Sequence, residues 1–98
     1  GLKPFFRPDP KDISFVIDKS TSLNNYYEII RDCAGNLVEA VEMLDKYENE
    51  EKFGKDKISY TFRITYRSPE RTLTNEEINI IQNKIRVRTA QDLQAVLR

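Results

Sequence analysis

Between Lys57 and Arg67 apolar and polar side chains alternate without a break. Ile58, Tyr60, Phe62, Ile64 and Tyr66 fall on one parity; Ser59, Thr61, Arg63 and Thr65 fall on the other. A period of two predicts a strand with one buried and one open face. Ser68 and Pro69 end it, because proline has no amide to donate. A shorter alternation runs from Asp12 to Ile17, with Ile13, Phe15 and Ile17 facing inward and Ser14 and Val16 outward. Ser20, Thr21 and Ser22 then offer N-cap oxygens. Tyr26, Ile29, Ile30 and Cys33 follow at helical spacing, and Gly35 stops the helix. Leu37 to Tyr47 reads as another strand with imperfect phase: Val38 and Leu44 share one parity, Val41 and Met43 the other. A β-bulge near Met43 and Leu44 reconciles them.

Glu48 to Asp56 is charged and contains Gly54, so it reads as a loop between strands. Thr74 opens a second helix through a capping box, since Glu77 lies three residues on and can reach back to the Thr74 amide. Ile78, Ile81 and Ile85 mark its buried stripe, and Gln94 to Leu97 has the character of a short last strand. Residues 1–11 carry Pro4, Pro8 and Pro10 and read as an extended arm whose Phe5 and Phe6 pack on the domain that follows, 12–98. The order is βαββαβ. It predicts the α+β, ferredoxin-like split βαβ arrangement, a four-stranded antiparallel sheet with two helices on one face.

Composition narrows the chemistry. Ninety-eight residues, 39% hydrophobic and 33% charged, suit one globular domain with a single core and a stability of roughly 5–15 kcal/mol. No apolar run approaches the ~20 residues of a membrane-spanning helix. One cysteine forbids an internal disulfide and suits a reducing compartment, and Cys33 reads as a small core residue. With no histidine as well, zinc fingers, Cys-His nucleophile pairs and most transition-metal sites are excluded. Ser59 has no histidine to activate it, and the three glycines are isolated, so no phosphate-cradling loop is present. Catalytic and metal-binding residues are therefore expected to be absent. The N-terminus carries no leader pattern, and the chain reads as a piece of a longer polypeptide.

Net charge is zero, which argues against binding nucleic acid by charge alone. The distribution is uneven: residues 1–54 hold 7 basic and 11 acidic side chains, residues 55–98 hold 9 and 5. The face left open by alternation holds Ser14, Asp45, Tyr47, Ser59, Thr61 and Arg63. Hydroxyls, a carboxylate, an aromatic ring and a guanidinium together can stack and hydrogen-bond the bases of a single-stranded RNA loop. An ordinary solvated sheet face has the same composition, and the pattern does not choose between them. An RNA-recognition motif is excluded, because it needs third-strand aromatics on the open face. Here Tyr60, Phe62 and Tyr66 have the buried parity.

Ordered segments across nearly the whole chain resemble one family. They are Asp12 to Phe15, Ala34 to Glu39, Leu44 to Tyr47, Ser59 to Arg67, Glu70 to Glu77 and the closing Leu97-Arg98. This set is similar to the ferredoxin-fold anticodon-binding domain of phenylalanyl-tRNA synthetases. The resemblance implies a C-terminal domain that grips the anticodon stem-loop of phenylalanine tRNA. It implies aminoacylation in a separate catalytic domain that uses ATP and Mg2+, with no cofactor in this one. RNA contacts are implied at Ser14, Asp45, Tyr47 and Ser59, with Arg63 beside them. Two departures weaken the implied phosphate contacts: Lys11 precedes Asp12 where the family often has arginine, and Ile58 stands where it has a basic residue before the serine. Asn25 to Arg31 and Arg63 to Arg67 look closer to the single-chain mitochondrial form, which implies an organellar matrix; a bacterial cytoplasm is the alternative. A structural or protein-interaction domain of the same fold without RNA binding remains the competing function.

Overall fold

The computed structural model describes residues 9–98, so the expectations for Phe5 and Phe6 and most of the arm lie outside the described residues. β1 (Lys11–Asp18) opens the fold, and Lys11, which the proline pattern assigns to the arm, is its first residue. α1 (Leu23–Ala34) is capped by Ser22, whose side chain accepts from the Asn24 amide. It ends at Gly35, where φ is 54°, a left-handed conformation that glycine enters without steric cost. Gly35 to Leu37 form one 3-10 turn, and Leu37 belongs to it instead of to β2 (Val38–Tyr47).

The loop expected between the next two strands contains a one-turn helix, α2 (Glu50–Phe53). Asn49 caps it by accepting from the Lys52 amide at 3.0 Å, and Gly54 closes it at φ 100°. The charge-rich composition of this stretch hides so short a helix, because four residues show no amphipathic period. β3 (Lys57–Tyr66) follows, then α3 (Asn75–Asp92), then β4 (Val96–Leu97). The capping box at the start of α3 is complete: Glu77 donates its amide to the Thr74 hydroxyl, and Thr74 donates its amide to the Glu77 carboxylate, each at 3.2 Å.

The strands form one antiparallel sheet in the order β2-β3-β1-β4. β1 and β3 are therefore interior strands, and α1 packs against α3. Ile13, Phe15, Ile17, Tyr60, Phe62 and Ile64 from the sheet share one buried cluster with Tyr26, Ile29 and Ile30 of α1 and Ile78 and Ile85 of α3. This places both long helices on the face that alternation marks as buried. Cys33 is half-buried and packs against the cluster.

Phe62 is the centre of the aromatic packing. Its ring stacks on Phe15 at 5.9 Å between centroids and meets Tyr26 at 4.9 Å. Such pairs add about 0.5–1.5 kcal/mol each to what area burial supplies. The Tyr26 hydroxyl is buried with no partner among the described residues. That costs roughly 1–3 kcal/mol, which the burial and ring contacts of the same side chain offset. Burial also pushes the Tyr26 and Tyr66 phenols above their ordinary range.

The stripe on α3 differs from the expected one. Ile78 and Ile85 are buried, but Gln82 and Thr89 complete the buried line and Ile81 is only half-buried at its edge. Hydrogen bonds explain the exchange. The Tyr66 hydroxyl donates to Gln82 Oε1 at 2.5 Å, and the Thr89 hydroxyl donates to the Ile85 carbonyl at 2.6 Å. A polar side chain so satisfied can occupy the interior. A search for apolar spacing selects Ile81 over its neighbour Gln82.

Truncating Phe62 to alanine leaves a cavity among four rings that cannot all close on it. Phe62→Ala is expected to lower stability by about 3–5 kcal/mol in denaturant unfolding, where a loss below 1 kcal/mol would show that this ring is not central to the core.

Candidate nucleic-acid interface

The register converts the face opposite the long helices into rows of side chains running across the strands. Ser14 pairs with Thr61, and Thr61 pairs with Asp45. The Arg98 amide extends this row by donating to the Ser14 carbonyl at 2.9 Å. In the next row Val96 pairs with Val16, Val16 with Ser59, and Ser59 with Tyr47. A third row holds Asp12, Arg63 and Glu42. Directly opposed side chains in an antiparallel sheet lie about 4.5–5.5 Å apart at Cβ, so each row is a set of neighbours. Ser14, Asp45, Tyr47, Ser59 and Arg63 thus share one face over three consecutive rows.

Two of the five rely on β2 for their position. Val41 pairs with Ile64 and Met43 with Phe62, both on the helix side by parity. Leu44 is skipped in the ladder, and Asp45 and Tyr47 then pair with Thr61 and Ser59 on the open side. The bulge expected near Met43 and Leu44 is therefore present. A second irregularity, between Val38 and Ala40, re-phases the start of the strand.

Several environments differ from those of a bare sheet face. Ser14 and Thr61 bond each other, hydroxyl to hydroxyl, at 2.8 Å. Ser59 is only 1% exposed, and its hydroxyl accepts from Arg98 Nη1 at 2.6 Å. Val16, of open-face parity, is buried too. Arg98 follows β4 on the far side of β1, so its side chain crosses β1 to reach Ser59. Its Cζ sits 5.3 Å from the ring centres of both Tyr47 and Phe53, which are 5.5 Å from each other. Tyr47 is half-exposed and Asp45 exposed. Arg98 and Phe53 join the site without any periodic signal. One follows the two-residue strand β4, and the other sits in a charged turn. A lone aromatic among six charged neighbours is the only hint the sequence carries.

Arg63 is bonded to its register partner: Nε and Nη2 donate to the two Asp12 carboxylate oxygens at 2.9 and 3.2 Å. Other cations of the basic second half meet acids of the first half in the same way. Lys57 pairs with Asp18, Arg67 with Glu39, and Arg88 with Asp32 as well as Asp92. The charge asymmetry of the sequence is thus largely folded into ion pairs. The hydrogen bond from Arg63 holds the Asp12 carboxyl below its ordinary range, against a smaller upward push from burial.

A β2-β3-β1-β4 antiparallel sheet, two long helices on one face and a polar, aromatic second face define a ferredoxin-like α+β module. The chain belongs to the ferredoxin-fold anticodon binding domain family, whose model matches residues 6–98. It is 41% identical over 99 residues to the chloroplastic/mitochondrial phenylalanine–tRNA ligase of Arabidopsis thaliana, covering 99% of this chain and 22% of that one. It is 39% identical over 90 residues to the mitochondrial phenylalanine–tRNA ligase of Dictyostelium discoideum, covering 90% of this chain and 19% of that one. Against the phenylalanine–tRNA ligase beta subunit of Synechococcus sp. (strain CC9605) it is 33% identical over 101 residues, 97% of this chain and 12% of that one. The chain thus spans between 12% and 22% of the length of these relatives.

The Asp12–Arg63 pair has a testable sign. A depressed folded-state pKa contributes stability that is present above the ordinary carboxylate range and lost as pH falls through the lowered value. Carboxyl-carbon NMR should show Asp12 titrating below a free aspartate in the wild type and returning to the ordinary range in Arg63→Gln. An unchanged Asp12 titration in the variant would exclude Arg63 as the cause.

Proposed function

We propose that this domain binds the anticodon stem-loop of phenylalanine tRNA on its open sheet face, as part of a phenylalanine–tRNA ligase. The observation that carries the reading is the re-phasing at Leu44, which brings an exposed carboxylate and a half-exposed ring, Asp45 and Tyr47, onto the open face beside the Ser14–Thr61 hydroxyls. A bulge re-aims side chains at a sheet edge, where a ligand can reach them. Tyr47 offers a stacking surface on the part of its half-exposed ring that Arg98 leaves open. Asp45 accepts hydrogen bonds only, so it selects a base edge bearing donors, such as the ring N–H and amino group of guanine, and repels phosphate. Ser14 supplies a hydroxyl at the same row.

The catalytic part of the ligase, with its ATP and Mg2+, is the partner within the same enzyme. It performs the aminoacylation for which this domain holds the tRNA. The relatives named for chloroplast and mitochondrion support an organellar site of action, and the bacterial beta subunits match the same domain.

Stacking on an aromatic side chain contributes about 1–3 kcal/mol per base, so Tyr47→Ala in the protein as encoded should weaken binding of the phenylalanine anticodon stem-loop by that amount. Asp45→Ala should reduce discrimination against a stem-loop whose first anticodon base is changed. If the wild type does not discriminate between the two stem-loops, or Asp45→Ala discriminates as well as the wild type, this face is not the reader.

A further inference from the structure

The open face holds three described cations within its strand ladders and at its β4 edge, and they are not equivalent. Arg63 is held by Asp12, and Lys57 by Asp18 at 2.8 Å. Arg98 has no carboxylate side-chain partner among the described residues. Neutral groups hold it instead: the Ser59 hydroxyl at 2.6 Å and the faces of Tyr47 and Phe53, each 5.3 Å from Cζ. A guanidinium has five N–H donors, and the bond to Ser59 uses one. What remains is a full positive charge in a fixed position with donors to spare.

The rest of the face is acidic. Among the described residues, Glu42 and Asp45 stand on it without a bonded cation across the row, since Arg63, the neighbour of Glu42, is bonded to Asp12. Among the described residues, a phosphodiester strand laid across this surface meets repulsion at Glu42 and Asp45 and attraction at Arg98, with Lys52 of the α2 turn beside it, 5.7 Å from the Phe53 ring centre. Contacts to phosphate position a strand, and contacts to base edges read it. On this face the two tasks fall to different groups, because Asp45 can only read, and of the cations on its strands and β4 edge Arg98 is the one with no carboxylate side-chain partner among the described residues.

We infer that Arg98 is a phosphate-binding residue of the face. Its guanidinium takes the phosphate of the nucleotide whose base stacks at Tyr47. This rests on the RNA-binding reading given above and adds to it the residue that anchors the strand. Planar, multiply donating guanidinium suits phosphate better than an ammonium does. Stacking on two rings and the bond to Ser59 hold it in place before the strand arrives, so little freedom remains to be lost on binding.

The test is the salt dependence of stem-loop binding by the protein as encoded, compared among wild type, Arg98→Gln and Arg98→Lys. Each phosphate neutralised on a single strand contributes about 0.7 to the slope of log affinity against log salt. Arg98→Gln should flatten the slope by about 0.7–1 and weaken the two stem-loops, cognate and first-base-changed, by the same factor. Arg98→Lys keeps the charge and should keep the wild-type slope even where it binds less tightly. A wild-type slope in Arg98→Gln would mean that Arg98 only braces Tyr47 and Ser59, and would overturn the inference. A changed ratio between the two stem-loops would make Arg98 a base contact and overturn it equally. Absence of any binding by the wild type would remove the RNA-binding reading and this inference together, whereas binding with an unflattened slope removes this inference alone.

Discussion

The register of β3 between β1 and β2 is the constraint on which the rest of the structure depends. It sets Phe62 against Ile13 on one side and Met43 on the other, and turns Tyr60, Phe62 and Ile64 toward the helices. Strand side chains have a period of two, so a slip of one residue would exchange the two faces. Ser59, Thr61 and Arg63 would then face the helices, and five apolar or aromatic side chains would face outward. Burying an unpaired guanidinium costs several kcal/mol, a large part of the stability of a domain this size. The same alternation that builds the core therefore fixes which hydroxyls and charges the open face can display.

β2 obeys this constraint by breaking its own period. Val41 belongs with the core and Tyr47 with the open face, although their sequence separation is even and an unbroken strand would put both on one side. Skipping Leu44 resolves the conflict, at the cost of leaving Met43 44% and Leu44 43% exposed on an edge strand. An edge strand can absorb such a bulge because only one of its sides is paired. The exposed carboxylate and ring of the candidate site exist on the open face only because of that skipped residue.

What the sequence reveals follows from how each feature is encoded. The strand Lys57–Tyr66, the capping box at Thr74 and Glu77 and the bulge near Leu44 are local, and each follows from spacing alone. The buried position of Gln82 is not local: it depends on the Tyr66 hydroxyl sixteen residues earlier, which no helical period contains. The same is true of Ser59. Its alternation marks it open, and a guanidinium thirty-nine residues later covers it. Arg63 is placed on the right face by its parity, but its engagement with Asp12 requires the register of a strand pair. Family resemblance reaches further than periodicity at Asp45 and Tyr47, yet neither signal singles out Arg98 or Phe53, whose meeting requires the α2 turn and β4 to come together at Tyr47.

If the open face is the surface that takes RNA, backbone amide shifts during titration with a phenylalanine anticodon stem-loop will map onto it. Perturbations should concentrate at Ser14, Asp45, Tyr47, Ser59, Thr61 and Arg98, and the exposed side of α3 around Ile80 and Val87 should stay unchanged. Shifts confined to α1 and α3, with the three rows of the open face unmoved, would contradict the assignment.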